Sequence, residues 1–175
     1  MRNVLYRKSE SRPVDLSVLL GKAFLGIVLL SLIGWLLLSL SYCIPVSLMM
    51  PHLQSSAEAL IGEGDYPLSY VGDWKFDNYT VALMLNEAAQ SGNPFESALE
   101  VPRYYIDSVG QGTLLQSTFN GNEANADYAY YWHGYLILLK PLLVFFDIKE
   151  IRLIAQVVFL VLLIISSLSI ARLSS

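Results

Sequence analysis

Asp73-Trp74-Lys75-Phe76-Asp77-Asn78-Tyr79-Thr80 is the densest group of charged and aromatic side chains in this sequence. Asp73 and Asp77 share a face if a helix begins early enough. A neighbouring carboxylate raises a pKa toward the range where a carboxyl can take a proton from a substrate hydroxyl. Asp77 also stands immediately before an apolar-periodic run, where an aspartate caps the free N–H groups of a helix and needs no catalytic role. Both roles stay open on sequence alone. His133, in Trp132-His133-Gly134-Tyr135, is the second candidate. Imidazole changes charge near neutral pH and can bind a phosphate or move a proton. Among so many Tyr and Trp it also fits a plain residue of a membrane-interface belt.

Other chemistries have no counterpart. The sequence has no metal-ligand spacing, dinucleotide glycine fingerprint, P-loop or nucleophile elbow. Ile44 to Gly134 holds eleven acidic residues and two basic ones, Lys75 and Arg103, whereas nucleic-acid recognition needs a basic footprint. Cys43 is the one cysteine, so no intrachain disulfide forms. Tyr104, Tyr105, Tyr128, Tyr130 and Tyr131 invite a sugar-stacking role, although anchoring at a membrane surface accounts for the last three more simply.

The elements that must position these residues are helices in and beside a membrane. The chain is 54% hydrophobic and 15% charged, against about 25% charged in an ordinary soluble domain. Ala23 to Cys43 is twenty-one residues without a charge, enough at 1.5 Å per residue for a hydrocarbon core of roughly 30 Å. It exceeds the length of a signal-peptide core, and no small-residue cleavage site follows it, so it reads as an uncleaved anchor. Residues 1–22 hold five basic and two acidic side chains, which places the N-terminus in the cytoplasm and the acidic loop outside. Residues 128–146 start with Tyr and Trp, become aliphatic and carry Lys140 and Pro141. The reading is three crossings, over 23–43, 128–146 and 153–171, with a cytoplasmic turn at 147–152 holding Lys149 and Arg152 and with Lys140 snorkelling inward. The alternative is two crossings plus an interfacial helix at 128–146. The expected fold is thus an all-α integral membrane protein with a large, mainly helical external loop at 44–127.

Within that loop, Pro45 and Pro51 should break the helix outside the membrane, leaving a short helix at 54–60 with Ser55 or Ser56 as N-cap and Gly62, Gly64 and Pro67 beyond it. Val81, Met84, Leu85 and Ala88 fall at i, i+3, i+4 and i+7, which predicts an amphipathic helix from Asp77 until Ser91-Gly92-Asn93-Pro94 stops it. Residues 110–127, rich in Gly, Asn, Ser and Thr, read as a flexible segment.

The order of parts resembles the N-terminal end of polytopic membrane glycosyltransferases of the GT-C type, which include protein mannosyltransferases and aminoarabinose transferases. Asp77-Asn78-Tyr79-Thr80-Val81-Ala82-Leu83 occupies the place of that class's acidic motif. Trp132-His133-Gly134-Tyr135-Leu136, Phe145-Phe146-Asp147 and Ile151-Arg152-Leu153 resemble its return to the membrane, with Gly134 where the class has proline. The resemblance implies that the chain is an N-terminal piece of an enzyme at the outer face of the bacterial cytoplasmic membrane. That enzyme would transfer a sugar from a polyprenyl-phosphate donor held among membrane lipids. Asp77, with Asp73 beside it, would then be the general base on the acceptor hydroxyl or help to hold a divalent metal. Lys75, Arg103 or His133 would bind the donor phosphate, Arg offering the better fork. The other open reading is a non-enzymatic membrane protein whose acidic loop binds a partner or supports an envelope complex.

Overall fold

The computed structural model describes residues 16–68, 75–107, 109–120 and 122–174. Residues up to Gly34 and residues from Trp35 onward form separate compact units. The first unit, where described, is the opening part of helix α1 (Leu16–Tyr42). α1 and α7 (Ile148–Ser174) are 27 residues each, about 40 Å long at 1.5 Å per residue. Among the described residues they are the two helices long and apolar enough to cross a bilayer. The apolar shaft of α7 is exposed along its whole length, an arrangement suited to lipid or to other apolar helices and not to water.

The second unit packs α2 (Val46–Glu63), α3 (Asn78–Ala88), α4 (Pro94–Glu100), α5 (Gln111–Thr118) and α6 (Leu136–Leu143), and a two-residue antiparallel pair, β1 (Pro102–Arg103) with β2 (Ala126–Asp127). α2 buries Met49, Leu53, Ala57 and Leu60 at i, i+4, i+8 and i+11, one apolar stripe on a 3.6-residue period. Against it lie Ala82, Leu85 and Ala88 of α3, Leu115 of α5 and Leu136, Leu139 and Leu143 of α6. Each fully buried Leu is worth roughly 1.5–3 kcal/mol, so these four helices hold the unit together. The end of α1 joins them through Leu38 and Tyr42.

Three expectations change. α2 runs through Pro51 from Val46 instead of starting near Ser55; the proline sits inside the helix and forgoes its own backbone bond to the Ser47 carbonyl. Ser56 sits mid-helix, donating to the His52 carbonyl (2.6 Å) and accepting from the Ile148 N–H (2.9 Å). The glycine-rich segment after Gly110 contains α5, whose Leu114 and Leu115 are fully buried. Gly112 makes this fit possible, since a Cβ there would stand 3.3 Å from the Ile61 nitrogen on α2.

Residues 128–146 do not form one helix. α6 has eight residues, about 12 Å, well short of a hydrocarbon core of roughly 30 Å. Lys140 does not snorkel: it is fully buried and donates to the Ala88 carbonyl at the end of α3 (2.8 Å), above the Tyr42 ring. The turn at 147–152 is tied to the loop domain, not set apart from it. Ser55 of α2 donates to Asp147 (3.0 Å), and Asp147 caps α7 by accepting from the Lys149 and Glu150 N–H groups. Arg152 reaches Glu63 of α2 and Asn78 of α3.

Candidate functional site

The first turn of α3 is built by its own sequence. Asp77 accepts from the Thr80 N–H (2.9 Å) and from the Thr80 hydroxyl (2.6 Å), one bond to each carboxylate oxygen. These bonds hold the Asp77 carboxyl below its ordinary pKa, so it is ionised at neutral pH. The expected rise does not occur, because the carboxylate is exposed and stabilised as the anion. Each oxygen thus keeps capacity for one further bond.

Beside it opens a cleft of about 700 Å³ lined by Asp77, Asn78 and Val81 of α3, Glu63 of α2, Phe76, and Arg152 and Gln156 of α7. Asn78 organises the wall: its amide donates to Glu63 (2.9 Å) and to the Gly64 carbonyl (2.9 Å), and its carbonyl accepts from Arg152 (2.7 Å). Arg152 also pairs with Glu63 at 3.2 Å. The guanidinium is therefore fixed in direction while half-exposed. The cleft thus carries an ionised carboxylate on one helix and an oriented cation on another, where α7 enters its apolar stretch.

No family model, curated protein or solved structure matches the chain. The functional reading rests on the site itself.

His133 is not a free phosphate ligand. It is 3% exposed and both ring nitrogens are engaged: Nε2 with the Tyr128 carbonyl (2.6 Å), Nδ1 with the Tyr135 hydroxyl (3.0 Å) and the Glu87 carboxylate (3.2 Å). A carbonyl and a carboxylate both accept, so these contacts call for N–H on both nitrogens. Burial opposes that charge, but the Glu87 bond and field and the Tyr128 carbonyl outweigh it and hold the imidazole above its ordinary pKa. Tyr135 donates to the same Glu87 oxygen. Burial first, then the Glu87 charge, pushes its hydroxyl far up the scale. Glu87 is fully buried and its Oε1 has no hydrogen-bond partner among the described residues. Arg103 stacks its guanidinium over the rings of Tyr128 (4.3 Å) and Tyr105 (4.9 Å).

Of the candidates, His133 and Arg103 meet at Tyr128, Asp77 lies on the separate cleft, and Lys75 is exposed in an isolated bridge to Leu68. Asp73 lies outside the described residues. Among those described, no three candidate metal ligands come together. Among the described residues the cleft's carboxylates are bonded to Thr80 and to Asn78 and Arg152. Gly134 stands where the resembling class has proline, and a Cβ there would collide with the Trp132 ring folded over it. Sequence reasoning missed Glu87, Tyr135, Glu63 and Arg152 as site residues. A signal existed for Glu87, because cations inside apolar runs, such as His133 and Lys140, need buried acceptors.

Proposed function

We propose that the chain is the N-terminal part of an integral membrane glycosyltransferase, anchored by α1 and α7, which acts on a lipid-phosphate-linked sugar at the outer face of the bacterial cytoplasmic membrane. One observation carries this reading: an ionised Asp77 and an oriented Arg152 line one cleft at the point where α7 becomes apolar. A lipid-linked phosphate has its charge at that level and its tail in the bilayer, and a guanidinium suits its oxygens. In the reaction the bond between the sugar C1 and the phosphate oxygen breaks and C1 bonds to the acceptor oxygen. The acceptor proton passes to Asp77 and on to water, and the polyprenyl phosphate leaves.

The topology follows from two crossings. The basic N-terminus lies inside and the acidic domain outside. Because Asp147 and Arg152 bond to α2 and α3, α7 starts outside and runs inward, which brings Arg172 to the cytoplasmic side.

The test uses the full natural reading frame in membrane vesicles supplied with polyprenyl-phosphate sugars. Asp77→Asn keeps the expression level and melting temperature and lowers transfer about 10²-fold or more. Wild-type transfer by Asp77→Asn overturns the assignment. It would favour the second reading, a partner-binding membrane protein in which Asp77 is only a cap, which the two Thr80 bonds also fit.

A further inference from the structure

Beside the first turn of α3, and sharing no lining residue with the Asp77 cleft, lies a hollow of about 330 Å³ between Asp65, Tyr79, Tyr105, Gly110 and Gln111. We infer that this hollow is a saccharide-binding subsite for a neutral or amino sugar; its role as the acceptor's docking site rests on the glycosyl-transfer reading, while saccharide binding itself does not.

Two tyrosines wall the hollow, and both are braced from outside it. The Tyr66 ring stacks on Tyr79 with centroids 6.0 Å apart and planes 7° from parallel. Tyr105 has the Arg103 guanidinium 4.9 Å from its centroid, and its hydroxyl donates to Asp107. The Tyr105 backbone is pinned in both directions by the Asn125 amide (2.9 and 2.8 Å). Rings held in place before a ligand arrives lose little freedom when it binds. Their electron-rich faces match the weakly positive C–H groups of a pyranose.

The polar groups match the sugar's rim. Asp65 can accept hydroxyl protons, and Gln111, itself buried, forms part of the wall. Gly110 lies directly beside the Asp65 carboxylate, a Cβ there standing 3.4 Å from it in ordinary contact. The Asp65 backbone carbonyl accepts from the N–H groups of Asn78 and Tyr79 (3.0 and 3.1 Å), which locks this loop to the turn carrying Asp77. A second hollow of about 220 Å³, lined in part by Gly64, Gly112 and Thr113, shares Asp65 and Gly110 with the first. Charge narrows the class: the Asp65 carboxylate disfavours phosphate, sulfate and uronate, and among the described residues neither hollow is lined by a Lys or Arg, the Arg103 guanidinium being set against the Tyr105 ring.

The test is saturation-transfer NMR on the full chain in a detergent without a sugar head group. Methyl glucoside, methyl galactoside, N-acetylglucosamine and glucosamine are the probes, with glucuronate as the anionic control. At least one neutral or amino sugar receives saturation on its ring protons and glucuronate does not. Tyr105→Ala and Asp65→Asn weaken binding about tenfold, while Tyr130→Ala, outside the groove, leaves it unchanged. Melting temperature checks that each variant is folded. No transfer to any neutral or amino sugar, or equal transfer in Tyr105→Ala, overturns the subsite. Asp77→Asn separates the two readings. Sugar binding kept with glycosyl transfer lost supports both. Transfer kept with binding kept overturns only the catalytic role of Asp77.

Discussion

Replacing His133 by Gln should cost more than replacing Glu87 by Gln, and the difference follows from what each change strands. In His133→Gln a fully buried carboxylate loses its cation and keeps the Tyr135 hydroxyl and at most a neutral amide donor, its Oε1 having had no partner to begin with. Removing the cation from such a pair costs about 3–5 kcal/mol. In Glu87→Gln the imidazole can shed its proton. Nε2–H still donates to Tyr128, and the freed Tyr135 hydroxyl turns to donate to Nδ1, so the loss is nearer 1–3 kcal/mol. For a chain of this size each kcal/mol moves the melting temperature by about 2–4 °C, so the two variants separate by several degrees.

The pH dependence has a definite sign. His133 has a raised folded pKa, so its contribution is full below the unfolded value near 6.5 and is lost as pH rises through the folded value. Every tenfold by which folding tightens the hold on this proton is worth about 1.4 kcal/mol. The Lys140 ammonium, which burial pulls down to about 8, titrates in both proteins and cancels in their difference. The assay is tryptophan-detected melting in detergent at pH 6 and pH 8. The gap between wild type and Glu87→Gln narrows at the higher pH. A gap that widens, or a His133→Gln variant as stable as Glu87→Gln, refutes the charged-pair account.

The remaining predictions concern topology, the cap and a close approach. Cysteines placed at exposed Ser91 and Asn120, in a Cys43→Ser background, react with an impermeant maleimide in intact cells, and a reporter fused after residue 175 is active in the cytoplasm; labelling only after lysis overturns the orientation. Asp77→Ala costs about 1 kcal/mol in melting experiments while Asp77→Asn costs a few tenths, since a cap needs only a short acceptor. Gly112→Val forces α5 away from the Ile61 backbone and costs about 1–3 kcal/mol, whereas Gly62→Val, where nothing stands within 4 Å of a Cβ, shows little of this steric penalty.

How far the sequence revealed this arrangement depended on the range of the interactions involved. The span of α1, the α3 stripe and the Asp77 cap are short-range patterns, visible in charge-free length and in spacing at i, i+3, i+4 and i+7. α5 was hidden because its two buried leucines adjoin each other among Gly, Gln, Thr and Ser, and its burial comes from Gly112 fitting against α2. The segment 128–146 misled for the opposite reason. Its apolar content suits a span, yet Leu136, Leu139 and Leu143 are taken up by the core of the loop domain, and Lys140 by the end of α3.

That last contact bears on how the two candidate surfaces cooperate. α3 carries Asp77 as its cap and Tyr79 on its first turn, buries Glu87 against His133 and Tyr135 on its last, and has its final carbonyl, that of Ala88, held by Lys140. A cation at a helix C-terminus complements the helix dipole, and the buried pair resists rotation of the helix about its axis. The polar network therefore serves to fix the orientation of α3, so that the Asp77 cleft and the Tyr79 groove keep a constant relation across a single turn. On this account Glu87→Gln alters the groove and the cleft together, and it does so through α3 without touching either surface.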